Sequence, residues 1–329
     1  VTSSPKGKRR QVAALQIMNF RLAKNNEQDA KNFCALSNSL YARPVNEAYY
    51  RWQFFACPFP SLLNIAVDEK DNLVGSYCLH VQGKVAWVLD IMVSPKIQRQ
   101  GVFRKLVDYG FENLKEHDVV AIVVMANEKA DRACVNGLGW KRINTFLTCF
   151  AKPDELHNKT KYIPEFEKVE NFSSCDSIIK NACQKNLFAN TRSVEYLNWR
   201  FMENPRYAYD VFIAHKNGLP FGYLVLKIFR DPVTNQAFGD IVDILWVEDD
   251  KEALANMLRF SLVHFHNQNV GSVAMWLQTN TVLDEIGVEI GFKQSEQKRF
   301  FCGMALKENF KCLEDAGSWF INMSDSEVY

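Results

Sequence analysis

The chain repeats itself. Slid by 147 positions, EAYYRWQFFACP meets VEYLNWRFMENP, which pairs Tyr49 with Tyr196, Trp52 with Trp199, Phe54 with Phe201 and Pro58 with Pro205; Gly75 meets Gly222 at the same offset. Further on the offset becomes 153. There Asp90-Ile91 meets Asp243-Ile244, Asn127 meets Asn280 and Cys149 meets Cys302. The change of offset falls in the polar stretch 230–240, where a surface insertion is tolerated. Two offsets that keep one order of elements mark a duplicated module. At 329 residues the chain also exceeds the size at which one core stops growing.

Within the first half, a strand near Phe20–Leu22 precedes helical sequence from Glu27 to about Leu40 and an aromatic helix at Tyr49–Phe55. Strands are predicted at Leu63–Val67, Val74–Val81 and Val85–Val93, with Asp71-Asn72 marking the first turn. From Val102 to Glu116, Phe103, Leu106, Val107, Gly110, Phe111 and Leu114 recur at spacings of three and four, as in a helix with one buried face. The run AIVVMA inside Asp118–Asn127 reads as a central strand buried on both sides. A short helix (Lys129–Asn136), a stop at Gly137-Leu138-Gly139 and a strand (Lys141–Lys152) close the module.

The fold class is therefore α/β, of the α+β kind with a mixed sheet, in two tandem modules at 18–152 and 166–307. A polar linker at 153–165 joins them and a tail at 308–329 follows. Residues 1–17 are basic and lack the apolar stretch of a secretory signal, so they read as a leader before a natural start at Met18.

Lys and Arg total 39 against 38 for Asp and Glu, which leaves no global field to hold nucleic acid or an anionic membrane. Any anion site has to be local. The nine cysteines include no CxxC pair and no zinc-like spacing, so no metal site is expected, and the thiols read as reduced and cytoplasmic. AIVVMA is far shorter than the roughly 20 residues of a membrane helix, and the chain reads as soluble.

The segment VLDIMVSPKIQRQGVFRKL, 88–106, carries the chemistry. A strand ends at Val93, a helix opens at about Val102, and the turn between them delivers unpaired backbone N–H groups with the positive end of a helix dipole behind them. Such a turn binds phosphate. Gly101 removes a Cβ where a ligand approaches, and Lys96 and Arg99 add positive charge. The run Gln98-Arg99-Gln100-Gly101-Val102-Phe103 resembles the Q/R-x-x-G-x-G/A signature with which GNAT acyltransferases hold the coenzyme A pyrophosphate. Phe103 departs from it, standing where a small residue is usual and predicting a slightly displaced helix start. The meander before this turn, the helix after it, the Asn127 strand and the Gly139-Trp140 ending follow the order of elements in that superfamily.

The resemblance implies acyl-coenzyme A as co-substrate and a bulged, splayed fourth strand whose backbone N–H meets the acyl carbonyl, at Met92-Val93. By alternation Asp90 shares a strand face with Met92, where a carboxylate would hold or deprotonate the acceptor ammonium. A structural role shared with Asp243 is the competing reading. His80 is a second base candidate. Family members commonly place a tyrosine four or five positions before the closing glycine as general acid; here those positions hold Val135 and Cys134, and Cys134 serves only if exposed.

Where the first repeat has Pro95–Gly101, the second has Glu248-Asp249-Asp250-Lys251-Glu252-Ala253-Leu254. Acids at a helix N-terminus fill the dipole with the protein's own charge, so the second module is degenerate and binds no coenzyme. The Tyr196–Phe201 segment and the chain ending at 318–327 resemble two-module bacterial N-acyltransferases of nucleotide-sugar pathways. That resemblance implies a small-molecule amine acceptor, the amino group of a dTDP- or UDP-linked amino sugar; Arg192 and Arg200, which flank the aromatic repeat segment, are the phosphate-binding candidates. The alternatives are an acetyltransferase of an antibiotic or peptide amine, and a non-catalytic acyl-coenzyme A binding module.

Overall fold

The computed structural model describes residues 18–156, 165–185, 188–189, 192–247 and 250–326. The expected leader, most of the linker and the acids Glu248 and Asp249 lie outside the described residues. The first repeat runs β1 (Asn19–Leu22), α1 (Glu27–Leu40), α2 (Glu47–Phe55), β2 (Ser61–Val67), β3 (Leu73–Gln82), β4 (Val85–Val93), α3 (Val102–Leu114), β5 (Ala121–Ala126), α4 (Glu128–Arg132) and β6 (Lys141–Ala151). After a short helix α5 (Pro153–Leu156), the second runs β7 (Glu165–Val169), α6 (Asp176–Lys185), β8 (Phe188–Ala189), α7 (Val194–Leu197), β9 (Asp210–Lys216), β10 (Leu219–Arg230) and β11 (Ala237–Trp246). It ends with α8 (Lys251–Asn267), β12 (Ser272–Leu277), α9 (Val282–Ile290), β13 (Lys293–Ala305) and β14 (Trp319–Phe320). Both repeats thus place an antiparallel meander before a long helix and a parallel strand, a mixed α/β architecture.

Two compact units result, and their boundaries do not follow the repeats: 125–132 and 141–302 belong to unit 2, while 133–140 and 303–311 belong to unit 1. The sequence reading, which closed the first module at 152 and the second at 307, differs here. Register supplies the reason. β6 forms an antiparallel ladder with β12, Leu147 opposite Leu277 through Ala151 opposite Val273, and Leu306 N–H donates to Val120 C=O in unit 1. Periodicity shows that a segment is a strand, whereas its partner is a long-range choice.

In unit 1, β1 to β4 are antiparallel in chain order and β5 is parallel to β4. Gly75, Tyr77 and Leu79 face α3, and a Cβ at Gly110 would stand 2.9 Å from the Tyr77 ring, so glycine lets α3 lie flat on β3. Phe33, Tyr50 and Phe54 form an aromatic cluster between α1 and α2, with Phe33 and Phe54 edge to face at 4.9 Å. Trp52 and Trp199 are both buried, each against its own tyrosine at 5.7 and 5.5 Å, which places the repeated aromatic motif in the core.

Unit 2 closes its core on α8, where Met257, Leu258, Leu262 and Phe265 pack beneath β10 and β11. At the start of β9, His264 Nε2 lies 3.0 Å and Lys168 Nζ 2.5 Å from the Asp210 carboxylate. His264 first, then Lys168, hold that carboxyl down to about 2. A depressed carboxyl stabilises the fold above the ordinary carboxylate range and loses that contribution as pH falls toward 2. With Lys168 largely exposed, the contribution is roughly 1–2 kcal/mol after solvent screening. Asp210→Asn should lower Tm at pH 6 and give the same Tm as the parent at pH 2. Parallel melting curves separated equally at both values would remove this ion pair from the account. Among the described residues no helix is long and apolar enough to cross a membrane.

Candidate functional site

The site of unit 1 begins with a register fault. Ser76 pairs with Met92 and Cys78 with Leu89, so β4 carries one more residue than β3 between those pairs. The extra length is a β-bulge at Asp90-Ile91, and Asp90 takes φ +50°, a left-handed conformation uncommon for a residue with a side chain. Ser76 Oγ donates to the Asp90 carbonyl at 2.7 Å, and the Tyr41 hydroxyl donates to the Ile91 carbonyl at 3.4 Å. Sequence reasoning missed both supports. Ser76, fully buried in an apolar strand, was the legible signal for one of them.

Past the bulge β4 leaves its parallel neighbour. Its ladder with β5 runs from Val85 opposite Ala121 to Val88 opposite Val124 and goes no further, while β3 follows β4 to Val93. The outer half of β4, Met92 and Val93 included, is therefore paired on one edge alone by strands. Met92 is buried and Val93 half-buried at this open edge.

The strand then enters the turn. Pro95–Ile97 form one turn of 3-10 helix, Gln98 Nε2 donates to the Val93 carbonyl at 3.1 Å, and Gln100 Nε2 to the Lys96 carbonyl at 3.4 Å. Arg99 and Gly101 both have positive φ, +62° and +81°. Gly101 is the N-cap of α3 and contributes no side chain, so the first N–H groups of the helix, at Val102, Phe103 and Arg104, are uncapped from within. By contrast Asn26, Asn46, Ser193, Asp250 and Thr281 cap their helices with side-chain oxygens. The helix starts at Val102 with Phe103 half-buried, so the departure at Phe103 shifts nothing. Lys96 and Arg99 stand exposed beside the N–H groups, and a phosphate fits this cradle.

Other expected residues stand elsewhere. His80 is buried, with Nδ1 3.7 Å from Cys57 Sγ, and pairs with Trp87, roughly 10 Å along β3 from the bulge. Cys134 is 1 % exposed in a turn of π-helix (Ala133–Gly137), its carbonyl taken by Trp140 N–H. That burial withdraws it as a proton donor. Asn127 Oδ1 accepts from Ala130 N–H at 2.9 Å, capping α4. The alternation argument for Asp90 also needs correction: the bulge resets the period, so Leu89 and Met92, three apart, share the face of Cys78 and Ser76.

Arg192 and Arg200 are withdrawn as phosphate ligands, since both are buried and engaged inside unit 2. Arg192 Nε and Nη2 donate to Asp243, and Nη2 also to Asp325 at 3.0 Å; Arg200 Nη2 donates to the Ser326 carbonyl at 2.8 Å. A guanidinium without access to solvent is held by its partners and offers nothing to a soluble guest. Asp243, moreover, is not a structural copy of Asp90. It stands in the ladder opposite Val225, with the second bulge falling at Val242. Of the two aspartates, the one in unit 1 carries positive φ.

Unit 1 thus joins a bulged and splayed fourth strand to an uncapped glycine turn at a helix N-terminus. Residues 31–140 match the model of the acetyltransferase (GNAT) family, which the first module resembles. Solved structures share the fold over both modules. A tandem GNAT protein from the clavulanic acid biosynthesis pathway has 16% identity over 88% of this chain and 98% of its own, TM-score 0.59. Saccharomyces cerevisiae N-myristoyltransferase with bound myristoyl-CoA has 9% identity over 88% and 82%, TM-score 0.60. A GCN5-related N-acetyltransferase from Anabaena variabilis has 10% identity over 88% and 73%, TM-score 0.64. No curated protein matches the chain significantly in sequence.

Proposed function

We propose that the chain is an acyl-coenzyme A-dependent N-acyltransferase acting on a primary amine, with the coenzyme on the first module. The observation that carries the reading is the adjacency, in one strand and turn, of a bulged edge at Asp90–Val93 and an uncapped helix N-terminus at Gly101. The backbone N–H groups of Val102–Arg104 would hold the pyrophosphate, with Lys96 and Arg99 beside them. Backbone N–H on the outer half of β4 would bond the acyl carbonyl more strongly as it becomes an oxyanion. Asp90 would take a proton from the acceptor ammonium, freeing the lone pair that attacks the thioester. The C–N bond forms, the nitrogen gives its second proton to solvent as the C–S bond breaks, and the thiolate takes a proton from solvent, since Cys134 is buried.

For the acceptor, the Tyr196–Phe201 segment and the chain ending support an amino sugar linked to dTDP or UDP. The engagement of Arg192 and Arg200 removes the part of that reading that rested on them. The test is coenzyme release from acetyl- and longer acyl-coenzyme A with dTDP- and UDP-amino sugars, an aminoglycoside and a peptide amine. Release with the sugar nucleotides alone supports the acceptor; release with the drug or peptide amine transfers the reading to the second class. Tight coenzyme binding without release for any amine would leave a binding module.

A further inference from the structure

In unit 2 the strand opening repeats, and something stands in it. β11 pairs with its parallel neighbour β12 from Phe238 opposite Ser272 to Asp240 opposite Ala274, and past that point the two ladders part. The next edge groups of β11 meet the C-terminal segment. Asn322 Nδ2 donates to the Ile244 carbonyl at 3.1 Å and to the Asp243 carboxylate, and Phe320 lies edge to face on Trp246 at 5.9 Å. Advancing from Phe320 to Asn322 thus follows β11 backward from Trp246 to Ile244. On the other wall, Gln278, just beyond β12, donates to the Ala316 carbonyl at 3.3 Å. At the 153 offset Ile244 corresponds to Ile91, whose carbonyl accepts from Tyr41 at the same place in unit 1.

We propose that this opening has become a docking site whose occupant is the chain's own segment Phe320–Ser326, recognised through the Asp325 carboxylate and the Asn322 amide. Composition argues for a built receptor: Asn322, Ser324, Asp325 and Ser326 are all buried, which polar residues seldom are without dedicated partners. The partners are present. Asp325 Oδ2 accepts from Arg192 Nη2 at 3.0 Å and from Asn322 N–H at 2.6 Å, and Arg200 Nη2 donates to the Ser326 carbonyl. Arg192 Nη1 and Asp325 Oδ1, both fully buried, have no hydrogen-bond partner among the described residues, a pairing that suits one enclosed water. Burial and the nearby Asp243 charge raise the Asp325 carboxyl against the pull of Arg192.

The opening is therefore filled from within. On the reading given above, which this step extends, the chain takes one coenzyme and the second module serves as a closed scaffold. The test is hydrogen–deuterium exchange of the full chain, read by mass spectrometry on the C-terminal peptide, with coenzyme A affinity measured on the same samples. The parent should protect Asn322–Ser326 well above the rate of the free synthetic peptide. Asn322→Ala, a mild change, should raise exchange there at least tenfold and Asp325→Ala further, with coenzyme A affinity within twofold of the parent. A parent segment exchanging at the free-peptide rate overturns the proposal, as does undiminished protection in both variants. Failure of the coenzyme reading has a separate signature, absence of coenzyme binding in every sample, and does not touch the exchange result.

Discussion

Gly101→Glu should reduce coenzyme A affinity about a hundredfold while leaving the fold intact. Two effects add. Gly101 sits at φ +81°, where any L side chain is strained by roughly 1–2 kcal/mol, and that strain alone moves the first turn of α3. The carboxylate then stands among the uncapped N–H groups, in the place proposed for a pyrophosphate, and occupies donors worth about 1.5–3 kcal/mol each toward an anion. About 2.8 kcal/mol in total corresponds to a hundredfold. Gly101→Ala separates the two, keeping the strain without the charge, and should lose no more than about tenfold. Asp250→Asn is the matched control, because that acid caps α8 by accepting from Ala253 N–H. It should lower stability slightly and leave coenzyme affinity alone. Isothermal titration decides, and normal affinity in Gly101→Glu would take the phosphate turn out of the site.

Asp90→Asn should lower kcat by about a hundredfold or more with coenzyme affinity unchanged, the range expected on losing a general base. The substitution is a clean one here. Asparagine tolerates positive φ nearly as well as any residue with a side chain, so the bulge and its bonds from Ser76 and Tyr41 persist while the basic oxygen is lost. Loss of the carboxylate should also remove the acid limb of the pH–rate profile. If Asp90 serves the fold instead, Asp90→Asn lowers Tm sharply and the surviving folded protein turns over at the parent rate with the same pH profile.

Much of unit 1 was legible because its signals are local. The helix from Val102, the strand at Ala121–Ala126 and the glycine turn depend on residues within one or two turns of one another, and spacing reports them. Phe103 interrupted a family signature without displacing the helix, since a half-buried aromatic fits the first turn. The aspartates at 90 and 243 show where local reading stops. They align in sequence, yet a bulge placed at Asp90-Ile91 in one ladder and at Val242 in the other puts one carboxylate in a strained corner and the other in a buried ion pair with Arg192.

What the sequence determined by itself was the duplicated order of elements, the single glycine turn and the acid-capped partner that replaces it in the second repeat. These follow from propensity, periodicity and charge along short stretches of chain. Tertiary structure decided which strand closes each unit, that Cys134 is enclosed, and that Arg192 and Arg200 face the chain's own ending. Each of these is a contact between residues distant in sequence, or the burial such contacts create. A strand edge or a guanidinium has the same local signature whichever partner satisfies it, so only the packed molecule selects among them.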